Sequence, residues 1–166
     1  MKVKCIHNSG KLLPQDLLNK QTIFNVDTEF ALKLEKEYLV CAMECFYGYM
    51  WYYICDERHD STDKCPFWNP YPSVLFEIID GRLSTFWKYN SYVDKESKCT
   101  EYIFALPEWA KNSVKFYYRF IEGESPEIDI FKKYKVLMDL EFPDNMITEK
   151  ATILDNDWLM CPVCID

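Results

Sequence analysis

Glycine is scarce in this chain, since only 4 of its 166 residues are glycine, whereas an average protein has about 7%. Loops that cradle phosphate groups need closely spaced glycines, because backbone N–H groups must approach the ligand without a side chain in the way. The sequence contains no Walker loop, no GxGxxG and no GxSxG. These absences argue against nucleotide-dependent enzymes and against hydrolases that carry a nucleophile elbow.

Histidine is scarcer still, because His7 and His59 are the only two. One of them would have to supply any imidazole base. His7 precedes a predicted turn at residues 8–10, and His59 lies in the charged stretch 56–60. A pair of His59 with Cys65 is conceivable, but nothing in the spacing requires it. Paired carboxylates cannot be distinguished from ordinary surface charge, so we expect that the chain is not an enzyme.

Long hydrophobic runs are missing too. The longest stretch without a charged residue is residues 65–76, and it contains Pro66, Pro70 and Pro72. A transmembrane helix needs roughly 20 apolar residues, and no apolar segment typical of a secretory signal follows the first residues. We therefore expect a cytoplasmic protein that does not contact membranes. Most of the 8 cysteines would then be small buried residues, although their even number permits disulfides in an oxidising compartment.

Basic residues are outnumbered, since the chain has 27 acidic and 19 basic residues and a net charge of −8. Residues 139–166 hold seven of the acids and a single base, Lys150, and so account for −6 of that charge. Acids one turn earlier offset the basic cluster at residues 132–135. A negative field repels nucleic acid and attracts basic proteins. The charge therefore predicts a basic protein partner and no nucleic acid, although a solvated acidic surface stays open as the plainer interpretation.

Aromatic residues, by contrast, are abundant at 17%, with 12 Tyr, 11 Phe and 5 Trp. They concentrate at residues 46–53 and at residues 67–71. Side chains alternate between the two faces of a strand, so some of these rings must reach the surface. Exposed Tyr and Trp are typical anchors of protein interfaces. The same rings can instead fill a large core or cover a sheet edge, and both interpretations stay open.

β-Branched and aromatic residues predict strands through the first two thirds of the chain. The predicted strands are residues 3–7, 22–26, 38–45, 51–55, 74–79, 82–89 and 100–105. Gly48 indicates one hairpin, and Asp80-Gly81 indicates a second between residues 74–79 and 82–89. Three prolines make residues 65–72 a rigid surface loop, because proline cannot occupy a central strand.

The pattern changes at Pro107, which suits the first turn of a helix. Apolar residues then recur at helical spacing until Gly123 ends this helix, and Ser125 caps a second helix. The sequence predicts an α+β fold: an antiparallel β-sheet or small barrel over residues 1–105, a helical hairpin over residues 107–142 and an acidic C-terminal segment over residues 143–166. We expect residues 1–166 to form a single domain.

Cys161 and Cys164 form a CxxC motif. Two thiolates at this spacing can hold one side of a tetrahedral zinc ion, but a structural site needs two further ligands. No second CxxC and no HxxxH is present. A redox dithiol of the thioredoxin type would need a following helix within a βαβ unit. We therefore expect no metal and no other cofactor, with zinc at Cys161 and Cys164 as the alternative.

Three stretches, residues 39–43, 51–54 and 75–84, carry a resemblance to a known class of protein. Together with the small size and the acidic charge, they make the chain similar to the immunity proteins that bacteria encode beside polymorphic or contact-dependent toxins. The resemblance implies a protein-binding inhibitor that binds a cognate toxin tightly and at one-to-one stoichiometry. Such toxins are often nucleases with basic clefts, and binding at the cleft or at an exosite are both open.

In an inhibitor of this kind, acidic residues speed association with a basic toxin and aromatic anchors slow dissociation. The predicted contact residues are five acids and three aromatic residues: Asp139, Glu141, Asp144, Asp155, Asp157, Tyr47, Tyr49 and Trp68. A small-ligand or peptide-binding β module that uses the proline-rich aromatic loop as its platform is one alternative. A small zinc-binding protein is the other.

Overall fold

The computed structural model describes residues 1–18, 24–46, 48–56, 68–93 and 98–143, and the backbone of two short strands beyond them. The strands in these residues are β1 (Lys2–Cys5), β2 (Glu37–Leu39), β3 (Ala42–Phe46), β4 (Tyr49–Cys55), β5 (Trp68–Pro72), β6 (Phe76–Asp80), β7 (Lys88–Val93), β8 (Thr100–Ala105), β9 (Thr152–Ile153) and β10 (Leu159–Met160). The helices are α1 (Pro107–Lys111), α2 (Ser113–Ile121) and α3 (Ser125–Glu141).

The strands form two open antiparallel sheets and a separate pair. One sheet has three strands in the order β2-β1-β6, and the other has five in the order β5-β4-β3-β8-β7. β9 pairs with β10. The predicted α+β fold with antiparallel strands is confirmed. The small-barrel alternative is wrong, because within the described residues both sheets end in strands that have only one neighbour.

The chain changes sheets between β2 and β3, inside the stretch predicted as one strand over residues 38–45. The amide of Val40 donates to the carbonyl of Met1, beside β1, at 3.1 Å. The next amide, that of Cys41, donates to the carbonyl of Tyr53 on β4 at 2.9 Å. Successive amides therefore join different sheets. A continuous apolar run does not reveal this crossover, because both of its halves are buried.

The predicted hairpin at Gly48 is confirmed, and the one at Gly81 is wrong. Gly48 connects β3 to β4 with a φ of +76°. β6, however, pairs with β1, and β7 pairs with β8. The carboxylate of Asp80 accepts hydrogen bonds from the backbone N–H of Arg82 at 3.1 Å and from its guanidinium at 2.5 Å. This local turn leads the chain away from β6 without the left-handed glycine that a tight hairpin needs.

The proline-rich stretch forms the edge strand β5 from Trp68 onward, and the predicted loop is wrong there. In the part of the chain that the structure describes, β5 pairs with β4 alone, which agrees with the exclusion of proline from central strands. Trp68 and Tyr71 face inward and are buried. The predicted strand at residues 22–26 is also wrong over residues 24–26, and its first two residues lie outside the described part.

A helical hairpin follows the sheets as predicted, but its first helix is broken. Asn112, with a φ of −149° and a ψ of 68°, separates α1 from α2. Gly123 ends α2 with a φ of +82°, and its amide donates to the carbonyl of Phe120. The N-cap of α3 is Glu124 rather than the predicted Ser125. None of the described helices has the length and hydropathy that a bilayer crossing requires.

Aromatic rings join the helices to one face of the five-stranded sheet. Trp68 stacks on Trp109 with 5.6 Å between ring centroids and lies 4.2 Å from Phe131. Tyr53 meets Trp109 edge-on at 4.8 Å. Truncation of a buried ring of this size to alanine costs about 3–5 kcal/mol. These contacts hold α1 and α3 on the sheet and leave its other face to be covered by other elements.

Gly123→Ala should destabilise the protein, because alanine disfavours a φ of +82°. A Cβ at this position meets no atom within 4 Å, so the effect is conformational. We expect the free energy of unfolding to fall by about 1 kcal/mol and the Tm by about 3 °C, measured by scanning calorimetry. Gly81→Ala is the matched control, since Gly81 has no positive φ and its added Cβ meets only Ile78 Cγ2 at 3.8 Å. Equal losses in the two variants would contradict this account.

Candidate protein-binding surface

Strand register divides the side chains of the five-stranded sheet between two faces. Tyr53 contacts Trp109 of α1 and therefore lies on the face that the helices cover. Its neighbour Tyr52 points the opposite way, because side chains alternate along a strand. Met43 lies opposite both Tyr52 and Phe104, so these three residues share the face turned away from the helices.

The three-stranded sheet covers only half of this second face. Tyr52 and Tyr71, on β4 and β5, lie 6.0 and 6.4 Å from the ring of Phe76 on β6, and all three are buried. The half formed by β7 and β8 remains open to solvent. We call it the bare face, and it consists of the exposed Tyr89, Val93 and Tyr102 and the partly buried Phe104.

The register of β7 and β8 brings the rings of the bare face together. Tyr89 lies opposite Phe104, and Ser91 lies opposite Tyr102. The ring of Tyr89 is therefore 5.1 Å from that of Phe104 and 6.4 Å from that of Tyr102, to which it is almost parallel at 16°. Tyr89 is 56% exposed and Tyr102 is 42% exposed. The pair forms a surface that is apolar across the rings and carries two hydroxyl groups.

β7 is also an edge of its sheet. It pairs with β8 on one side and with no other strand in the described part of the chain. Five of its six residues are exposed. The backbone N–H and C=O groups along such an edge can pair with a strand from another protein. A partner that covers the bare face can therefore contact aromatic rings and strand backbone together.

Two of the predicted acidic contacts lie in the described residues, and both have intramolecular partners. Asp139 accepts two hydrogen bonds of 2.6 Å from Lys135 Nζ. Glu141 accepts one from the Ser84 hydroxyl at 2.6 Å and one from the Thr85 backbone N–H at 2.8 Å, which fastens the end of α3 to the segment before β7. The other three predicted acids lie outside the described residues: Asp144, Asp155 and Asp157.

Two of the predicted aromatic contacts, Trp68 and Tyr49, are less accessible than Tyr89 and Tyr102 of the bare face. Trp68 is 1% exposed and stacked in the core, so it does not lie on the surface where a partner contact requires it. The hydroxyl of the partly buried Tyr49 donates to the carboxylate of Asp16, 2.7 Å from each oxygen, and this bond raises the pKa of Tyr49. Tyr47 lies outside the described residues.

A cavity of about 310 Å³ lies beside the end of α3. Its lining combines both signs of charge with apolar side chains: Lys2, Glu37, Ile79, Asp80, Arg82, Phe142 and Pro143. Hydrogen bonds from Arg82 lower the pKa of Asp80 to about 2, and the same guanidinium lies 5.1 Å from the ring of Phe142. The volume is at the small end of ligand sites. The small-ligand alternative predicts a platform made of the aromatic rings of the proline-rich stretch. Trp68 and Tyr71 of that stretch are buried in the core and do not line this cavity.

Glu44 is a buried carboxylate that the sequence analysis did not single out. It accepts hydrogen bonds from the hydroxyl of Tyr53 at 2.7 Å and from that of Tyr92. Burial raises the pKa of Glu44, and the two hydroxyl groups offset part of this rise. The sequence does contain a feature that indicates this site, since Glu44 is the one charged residue in the apolar stretch 38–55. Because both tyrosines enclose the carboxylate, we interpret it as a network that joins β3, β4 and β7.

Comparisons with known proteins identify no relative. No protein-family model, no curated protein and no solved structure matches this chain. Within the described residues, no group of three or more His, Cys, Asp and Glu side chains is arranged to hold a metal ion. Cys161 and Cys164 lie outside those residues, so zinc binding there stays a prediction.

Glu44→Gln should change how stability depends on pH. Because burial raises the pKa of Glu44 above the usual 4.5, the native state binds this proton more tightly than the unfolded state. The stabilisation is greatest below pH 4.5 and is lost as pH rises through the native pKa. The wild type should therefore lose stability relative to Glu44→Gln as the pH rises above about 4.5, measured by urea unfolding. Glu122→Gln, at an exposed position, is the control. If the difference in free energy of unfolding between the wild type and Glu44→Gln did not change with pH, the raised pKa of Glu44 would be contradicted.

Glu141→Gln should be more destabilising than Asp139→Asn. Burial acts to raise the pKa of Glu141, but the hydrogen bonds from Ser84 and Thr85 outweigh it and lower the pKa. The resulting stabilisation is present above pH 4.5 and is lost as pH falls through the native pKa. At pH 7 we expect Glu141→Gln to cost about 1 kcal/mol and Asp139→Asn at most about 0.5 kcal/mol, since it breaks an exposed i,i+4 pair. Urea unfolding at pH 7 and pH 3 measures both, and the reverse order at pH 7 would refute the assignment.

Proposed function

We propose that this chain is a protein-binding inhibitor of a basic protein partner and that it binds this partner with the bare face and the edge of β7. The observation that carries the proposal is the stacked and exposed pair of Tyr89 and Tyr102. An aromatic surface left in water is typical of a site that another protein covers. The resemblance to immunity proteins makes a cognate toxin the partner of this proposal.

The composition of the bare face suits an anchor that is ordered before binding. Side chains on this face of β7 and β8 carry no charge: Tyr89, Ser91, Val93, Thr100, Tyr102 and Phe104. A partner can therefore cover the face without removing an ionised group from water. Stacking already restricts the two tyrosine rings, so little side-chain entropy remains to be lost on association.

The net charge favours a basic partner. Its electrostatic attraction acts over a longer range than the apolar contacts of the bare face. The net charge of −8 attracts a basic protein and raises the association rate. The uncharged rings of the bare face then slow dissociation, because their release requires apolar surface to be exposed again. In this proposal acidic residues and aromatic anchors keep the separate roles expected from the sequence, although the aromatic residues are different ones.

The double variant Tyr89→Ser/Tyr102→Ser tests this proposal. The partner is the basic protein that the tagged chain retains at one-to-one stoichiometry from a lysate of its own cells. We expect the double variant to raise the Kd at least 30-fold, since two central tyrosines contribute about 2 kcal/mol or more. Biolayer interferometry should place most of the change in the dissociation rate. Added salt should slow association of the wild type and the variant alike.

Tyr118→Ser is the matched control, because Tyr118 is a tyrosine of similar exposure, 58%, on α2. We expect this variant to change the Kd less than about threefold. Wild-type affinity in the double variant would show that the bare face is not the contact. A second copy of this chain could also cover the bare face, and sedimentation velocity of the purified chain tests for such a dimer. A dimer that is lost in the double variant would assign the face to a second copy of this chain and overturn the proposal.

A further inference from the structure

The cavity beside the end of α3 lies on the outer face of the three-stranded sheet, which is the face turned away from the five-stranded sheet. Cys5 of β1 lies opposite Phe76, whose ring packs on the five-stranded sheet. Because side chains alternate along a strand, Lys2 and Lys4 face outward. Glu37 lies opposite Lys4 in the register of β1 and β2, so it faces outward too. Lys2 and Glu37 both line the cavity of about 310 Å³.

A β-bulge in β6 turns two successive residues toward this cavity. Val3 lies opposite Ile78, and the preceding residue of β1 lies opposite Asp80. Ile79 is therefore an extra residue on β6. In a regular strand Ile79 and Asp80 would face opposite sides of the sheet, whereas here both line the cavity. Bulges re-aim side chains in this way and are over-represented beside functional sites.

Hydrogen bonds hold the end of α3 against the sheet and so fix the shape of the cavity. The ammonium group of Lys2 donates to the carbonyl of Pro143 at 2.7 Å. Glu141, at the end of α3, accepts hydrogen bonds from the segment before β7. Lys2 is only 5% exposed, so its positive charge is held within the wall. Walls that are ordered beforehand spare a ligand the cost of ordering them.

Arg82 has one edge of its guanidinium group available to a ligand. Its Nε donates to the two oxygens of Asp80 at 3.0 and 3.1 Å, and its Nη2 donates to one of them at 2.5 Å. The ring of Phe142 lies 5.1 Å from the same group. Within the described residues, Nη1 donates no hydrogen bond. Nη1 and Nη2 thus retain a pair of N–H donors in the geometry that binds a carboxylate.

Glu37 supplies a negative charge to the same cavity. It is exposed, and its carboxylate makes no hydrogen bond or ion pair with the residues that the structure describes. β2 and β6 flank β1, so the two outer strands are about 10 Å apart. The long side chains of Glu37 and Arg82 can therefore reach opposite ends of one small molecule. Ile79 and Phe142 add apolar surface to the lining.

We propose that this cavity binds a free α-amino acid with an apolar side chain. Arg82 binds the carboxylate, with Lys2 adding positive charge, and Glu37 accepts hydrogen bonds from the ammonium group. Ile79 and Phe142 contact the apolar side chain. The volume equals that of about ten water molecules at roughly 30 Å³ each, which suits a ligand of the size of leucine. The bare face lies on the other sheet, so this inference is independent of the proposed function.

Isothermal titration calorimetry of the full chain tests the proposal with three matched ligands. L-Leucine should bind at one-to-one stoichiometry with a Kd below about 1 mM. 4-Methylpentanoate lacks the ammonium group and 3-methylbutylamine lacks the carboxylate, so each should bind at least about tenfold more weakly. The proposal is overturned if L-leucine, L-methionine and L-phenylalanine all fail to bind at about 10 mM, or if 4-methylpentanoate binds as tightly as L-leucine.

Two variants separate the two ends of the ligand. Arg82→Gln should weaken binding of L-leucine and of 4-methylpentanoate by at least about tenfold, because both carry the carboxylate. Glu37→Gln should weaken binding of L-leucine and leave that of 4-methylpentanoate unchanged. Glu77→Gln is the matched control, since Glu77 is an exposed acid of the same sheet that pairs with Lys4 at 3.3 Å and does not line the cavity.

Equal effects of Glu37→Gln and Glu77→Gln on L-leucine binding would overturn the proposal, and so would unchanged binding in Arg82→Gln. The comparison of the three ligands on the wild type decides the matter even where a variant does not fold.

Discussion

Successive backbone amides at Val40 and Cys41 bond to different sheets, and the arrangement of the molecule depends on this crossover. The first joins the three-stranded sheet through Met1, and the second joins the five-stranded sheet through Tyr53. The smaller sheet is thereby fixed over β4 and β5, where its Phe76 covers two tyrosines. β8 and β7 lie on the other side of β3 and are left uncovered. The bare face is therefore a consequence of where the chain changes sheets.

The same crossover brings polar chemistry into an aromatic core. The carbonyl of Cys41 accepts a hydrogen bond from the indole N–H of Trp87 at 3.0 Å, and its thiol donates to the carbonyl of Leu39 at 3.6 Å. Buried polar groups destabilise a fold unless they have partners. Glu44 has two tyrosine hydroxyl groups as partners, and the Cys41 carbonyl has the indole N–H of Trp87. The core is thus specified by a few paired polar groups as well as by its rings.

The contact surface predicted from the sequence and the one proposed from the structure both rely on aromatic residues, but the residues differ. The abundance of aromatic residues correctly indicates that some rings reach solvent. The Trp68 ring is enclosed by the helices, while Tyr89 and Tyr102 are open because no described element packs over β7 and β8. Asp139 and Glu141 have partners within the chain. In the proposed inhibitor the aromatic anchors are therefore Tyr89 and Tyr102, and the attraction to a basic partner comes from the net charge of the chain.

The local sequence pattern was sufficient to predict those elements whose conformation depends on residues close by in the sequence. It predicted the α+β class, the hairpin at Gly48, the start of the helices at Pro107 and the end of α2 at Gly123, since backbone conformation at these residues follows from their own chemistry. Tertiary structure decided the crossover, the pairing of β6 and β7 with distant strands, and the exposure of each ring. Tyr52 and Tyr89 are the same residue type on strands of one sheet, yet one is buried and the other exposed. The difference is what packs above each strand, and that depends on residues far away in the chain.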